Sequence, residues 1–91
     1  MNNPKFLNLY NPEENEVFEF DMDTIDRIII APARELIDSE RRKSENIDPT
    51  DMAVRIQFKE DSSKEYSLRR YEMEFIYPWR EIYEIPGQRK I

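Results

Sequence analysis

Alternating apolar and polar runs, one polar middle segment and a C-terminal aromatic stripe predict an α+β fold. Its expected form is an antiparallel sheet of about four or five strands, packed on one face by a C-terminal aromatic-rich helix. A polar, partly helical insertion is expected at about 33–52. Three observations carry this. "VFEFDM" (17–22) and "AVRIQFKE" (53–60) have the period of two that places alternate side chains on opposite faces of a strand. Residues 33–52 hold only Leu36, Ile37, Ile47 and Met52 as large apolar side chains. From Leu68 onward, Tyr71, Phe75, Ile76, Trp79, Ile82 and Tyr83 recur at helical spacing.

The elements follow in order. "KFLNLY" (5–10) is a short apolar run, read as a strand whose edge could pair with a second copy of the chain. "NPEEN" (11–15) is a turn, because Asn before Pro favours extended geometry and polar residues follow. In 17–22, Phe18, Phe20 and Met22 share one face, and Val17, Glu19 and Asp21 share the other. Ile25, Ile28, Ile29 and Ile30 are β-branched and predict a strand that ends near Pro32. Good helix formers over 33–43 predict one or two helical turns. The cleanest hairpin is 53–60 with 65–70: Val54, Ile56, Phe58, Tyr66 and Leu68 point inward, and "DSSK" (61–64) turns the chain. Over 71–85 two readings compete. One is a kinked helix. The other is a strand to about Tyr77 with Pro78 opening a short helix. The long stripe favours the helix.

Ninety-one residues form a single domain, 1–91, with a thin core. The charged fraction of 37% matches the apolar fraction of 38%, yet the periodic aromatics identify a folded chain with a polar shell. The single glycine, Gly87, excludes glycine-rich phosphate loops and leaves positive-φ positions to Asn or Asp. No apolar run reaches the ~18 residues of a membrane span, and the first residues lack a secretory signal pattern. A cytoplasmic protein is expected.

The first 26 residues hold seven acids and one base, Lys5, which accounts for the whole net charge of −6. Glu16, Glu19, Asp21 and Asp23 form an acidic edge that opposes direct nucleic-acid binding there. Two readings of this row stand side by side. Arg55 and Lys59 neutralise it across strands, or it docks on a partner. In the second case its spacing of ~6.6–6.8 Å along one strand face resembles that of backbone phosphates. Asp21, Asp23 and Asp26 do not make a calcium loop, since Ile25 and Asp26 occupy its fifth and sixth positions.

Without histidine or cysteine the commonest bases, nucleophiles and metal ligands are missing. No catalytic residue, metal or cofactor is assigned. The expectation is a small non-catalytic interaction protein, an inhibitor or adaptor. Its charged surface would engage a protein partner, such as a basic nucleic-acid-binding protein. Tyr77, Trp79 and Arg80 form a second candidate patch. A compact, acidic, cysteine-free chain suits an inhibitor of the kind carried by phages and mobile elements. The competing expectation is a nucleic-acid-binding module using the basic clusters at 41–43, 69–70 and 89–90.

Overall fold

The computed structural model describes residues 3–78. Strand β1 (Phe6–Asn11) and strand β2 (Glu16–Asp21) form an antiparallel hairpin, registered from Phe6↔Asp21 to Asn11↔Glu16. Its turn is built by Asn11, whose buried side-chain oxygen accepts from the Glu13 and Glu14 N–H groups at 3.0 and 3.3 Å. Asn15 closes it at φ 52°. A 3₁₀ turn at Met22–Thr24 leads into β3 (Ile25–Pro32). Two short helices follow, α1 (Ala33–Leu36) and α2 (Ser39–Ser44), the latter capped where the Asp38 carboxylate accepts from Arg41 N–H at 2.8 Å. Then come β4 (Met52–Phe58), β5 (Ser63–Ser67) and β6 (Glu72–Ile76).

The strands make two antiparallel sheets, ordered β2-β1-β6 and β3-β4-β5. In the β4–β5 loop, Asp61 takes φ 74° and donates to the Phe58 carbonyl at 3.0 Å, while Phe58 N–H reaches Ser62 at 2.8 Å. This is the bulged hairpin that needs a left-handed third loop residue. The positive-φ residues among those described are Asn15, Asn46 and Asp61, the residue types the sequence allows.

The inner faces of the two sheets meet in the main core. Leu7 and Leu9 from β1, and Val54 and Ile56 from β4, are fully buried. Phe18, Phe20, Phe58, Tyr66 and Tyr71 fill the space around them. Ring pairs cross between the sheets: Phe20 lies 5.6 Å from Phe58 and Phe18 lies 5.6 Å from Tyr66. Full burial, as at Leu7, Leu9, Val54 and Ile56, contributes about 1.5–3 kcal/mol per side chain, and the half-buried rings contribute less. A second, smaller core lies on the other face of the β3-β4-β5 sheet. There Ala33, Leu36, Ile37 and Ile47 pack on Ala53, Ile29 and Ala31. Strand β4 is therefore covered on both faces, and the insertion is a third layer.

Three expectations are corrected. The described residues form two three-stranded sheets, not one of four or five strands, because the apolar face of each covers the other. Residues 72–76 are strand, not helix, because β1 has two open sides and β6 occupies the second. The 71–77 strand reading is the one observed. The remainder of the expected C-terminal helix, from Trp79 on, lies outside the described residues. Residues 5–10 supply a central strand, not an edge.

Candidate functional site

The β2-β1-β6 sheet has an outer face that none of the described elements covers. Register fixes what sits on it. Asn8 lies between Glu19 and Glu74, Tyr10 between Val17 and Glu72, and Phe6 between Asp21 and Ile76. Glu19, Asp21, Glu72 and Glu74 are exposed. Successive outward residues along one strand stand ~6.6–6.8 Å apart, and β2 and β6 are two strand spacings apart, ~9.4–9.8 Å. The acids thus form two short rows flanking a central strip of Phe6, Asn8 and Tyr10. A groove of about 530 Å³ runs along the β6 side, lined by Asn8, Tyr10, Val17, Glu72, Met73 and Glu74.

Glu19, Asp21 and Glu72 have no ion-pair partner among the described residues. The expected neutralisation by Arg55 fails on topology. Arg55 belongs to the other sheet and faces the insertion, where it donates to Glu65 at 3.0 Å and to the Leu36 carbonyl at 3.1 Å. Lys59 is exposed beside the β4–β5 loop and makes no ion pair among the described residues.

The sequence-derived acidic edge is only partly brought together. Glu19 and Asp21 share the outer face. Glu16 has the opposite parity and points with Phe18 toward the core rim, where the Tyr71 hydroxyl donates to it at 3.1 Å. Asp23 sits in the 3₁₀ turn, and its N–H donates to the Asp21 carboxylate at 2.9 Å. Glu72 and Glu74 were missed because a helix reading scatters them. The period-two alternation of 71–77 is the signal that finds them. In the second patch Tyr77 is half-buried just past β6, and Trp79 and Arg80 lie outside the described residues.

Of the basic clusters, Arg41 and Arg42 are tied into the fold, and the exposed Arg69 and Arg70 make surface contacts. Arg41 pairs with Glu45 at 2.9 Å, with the Glu65 carboxylate at 3.3 Å and with the Glu65 carbonyl at 2.6 Å. Arg42 donates to the Ile37 carbonyl at 3.0 Å. Arg69 pairs with Asp51 at 3.6 Å, and Arg70 donates to the Glu45 carbonyl. Lys43 is exposed, and 89–90 lie outside the described residues.

Ionisation is perturbed at few places. Burial pushes the Tyr71 phenol above its ordinary value, and its hydrogen bond to Glu16 pushes it the same way. Burial, then the neighbouring Tyr71, raises Tyr66. Asp48 is held low by the N–H and hydroxyl of Thr50, at 2.8 and 2.7 Å. Among the described residues no group of three or more acids is arranged to hold a metal ion, and no helix is long and apolar enough to cross a membrane. Compared with protein-family models, curated proteins and solved structures, the chain matches none at a significant level.

Proposed function

We propose that this chain is a small non-catalytic interaction protein that docks the outer face of its β2-β1-β6 sheet onto a basic protein. The observation that carries the reading is the set Glu19, Asp21 and Glu72, exposed on one sheet face with no ion-pair partner among the described residues. Carboxylates that have no cation beside them keep most of their field for a partner and speed its approach, even where, as at Asp21, one oxygen also accepts from the Asp23 N–H. Tyr10 and Phe6, half-buried between the acid rows, supply contact area that needs little ordering. A groove that normally tracks nucleic-acid phosphates is the partner surface such rows fit, so the partner is a basic nucleic-acid-binding protein in the cytoplasm. An inhibitor or adaptor works this way by occupying the groove.

Direct nucleic-acid binding has less support, since Arg41 and Arg42 are engaged within the fold, while the exposed Arg69 and Arg70 touch Asp51 and the Glu45 carbonyl at the surface. The test is capture from the native host lysate with immobilised protein, read by mass spectrometry, against Glu19→Lys combined with Asp21→Lys. The expected result is one basic protein retained at low salt and lost in the variant, whose circular dichroism is unchanged. Identical capture by both proteins contradicts the reading. Binding of labelled oligonucleotide that weakens steeply with salt would favour the alternative.

A further inference from the structure

Among the described residues the two sheets have four edges, and these are not treated alike. Edge strand β2 carries Glu16, Glu19 and Asp21, and edge strand β6 carries Glu72 and Glu74. On the third edge, β5, the Glu65 carbonyl is taken by Arg41 at 2.6 Å. Charges and side-chain caps of this kind keep edges from pairing with other chains. Strand β3 is the longest of the described strands and carries no charged side chain or side-chain cap over 28–31 among the described residues; Pro32, with no N–H to offer, closes the open stretch. Its charged pair, Asp26 and Arg27, sits at one end, beside a bulge between Ile25 and Arg27. Ile30 stands 50% exposed.

The backbone shows which groups face the open side. Ala33 N–H donates to the Asp51 carbonyl at 2.7 Å, one step beyond the Pro32↔Met52 pair. In an antiparallel ladder the bonded pairs alternate. Ile29 and Ala31 therefore bond toward β4, and Ile28 and Ile30 direct N–H and C=O outward. Pro32 shares their outward phase, so its missing N–H costs the ladder nothing. The Met52 carbonyl, accepting from Leu68 on the β5 side at 2.9 Å, agrees with this phase.

We propose that β3 pairs with β3 of a second copy, antiparallel about a two-fold axis at Ile29, joining the two β3-β4-β5 sheets into one. Only even-numbered residues present free groups, and this axis places Ile28 opposite Ile30 of the second copy. Each Ile28 N–H then meets an Ile30 carbonyl and each Ile30 N–H an Ile28 carbonyl. No outward group of either residue is left over. Ile28 and Ile30 meet on the face toward the main core, covering the exposed Ile30, and Ile29 meets its own twin on the other. No like charges oppose, because Arg27 falls opposite Ala31. The outer acidic faces stay free, so this inference stands apart from the functional reading.

The test combines light scattering after size exclusion with cysteine crosslinking, which the absence of native cysteine makes clean. The wild-type chain is expected at twice its 11.1 kDa mass, and Ile30→Lys at the single 11.1 kDa mass with unchanged circular dichroism. Under oxidant, Ile29→Cys is expected to give a disulfide-linked dimer, since directly opposed residues in such a pair lie within disulfide reach. Ala31→Cys, displaced from its twin along the strand, is expected to give none. A wild-type monomer at all concentrations, an Ile30→Lys dimer, or crosslinking by Ala31→Cys in place of Ile29→Cys would overturn the proposal.

Discussion

Leu9→Ala probes the packing of one sheet on the other. Leu9 is central in its sheet, flanked by Phe18 and Met73, and is 0% exposed. That burial exists only because the β3-β4-β5 sheet covers it. Removing three carbons forfeits about 2.4 kcal/mol of transfer free energy at ~0.8 kcal/mol each. The cavity left behind raises the cost to about 3–4 kcal/mol, since surrounding strands relax only in part. A chain of this length has about 5–14 kcal/mol of total stability. With an unfolding entropy of about 0.19 kcal/mol/K, the melting temperature should fall by roughly 15–20 °C. Val17, on the outer face of the same hairpin and 55% exposed, is the control. Val17→Ala should cost under about 0.5 kcal/mol. Urea unfolding followed by circular dichroism gives both numbers. A Leu9→Ala cost below about 1 kcal/mol, or equal to that of Val17→Ala, would refute the two-sheet core.

Two further outcomes follow from the same geometry. Arg41→Ala removes the bonds that tie α2 to Glu65 and should cost about 1–2 kcal/mol, with Arg41→Lys intermediate, as measured by urea unfolding. Burial raises the phenols of Tyr71 and Tyr66 above the ordinary tyrosine value in the folded chain. In the alkaline range the unfolded chain loses these protons first, so the two tyrosines' contribution to stability is constant below about pH 10 and is lost as pH rises through the folded values. Tyr71→Phe should flatten part of this alkaline decline in melting curves, and an unchanged decline would contradict the assignment.

Much of the fold is written in strand periodicity. The inward sets Phe18–Phe20, Val54–Ile56–Phe58 and Tyr66 are read correctly from period two alone, and so is the pairing of 53–60 with 65–70 as a hairpin, although its strands run Met52–Phe58 and Ser63–Ser67 and its turn falls at 59–62, not 61–64. The isoleucine run at 25–30 is a strand with both faces in use, as its lack of alternation implies. Pairing is a different matter. Nothing local in "KFLNLY" states that it is a centre strand between β2 and a segment more than sixty residues away. That information resides in the complementarity of whole faces. Over 71–77 the helical and strand periods both fit, since Tyr71 and Phe75 belong to each pattern. The decision falls to the open side of β1, a tertiary cause.

The acidic face was half legible for the same reason. Parity along 16–21 already separates Glu16 from Glu19 and Asp21, and it places Glu16 where Tyr71 now holds it. Glu72 and Glu74 join the face only once β6 is a strand. Arg55 looks like a solvent-facing base in the sequence, yet the helical layer claims it through Glu65 and the Leu36 carbonyl. The insertion's few apolar residues, Leu36, Ile37 and Ile47, suffice to hold that layer down. Their sparseness hid it.

The account rests on two sheets closing over a shared aromatic seam, which sends Glu19, Asp21 and Glu72 outward. Phe20 and Phe58 come from different sheets with centroids 5.6 Å apart. A double-mutant cycle with Phe20→Leu and Phe58→Leu measures their coupling free of either residue's own burial. The predicted coupling is about 0.5–1.5 kcal/mol. Additive effects, with no coupling beyond experimental error, would contradict it.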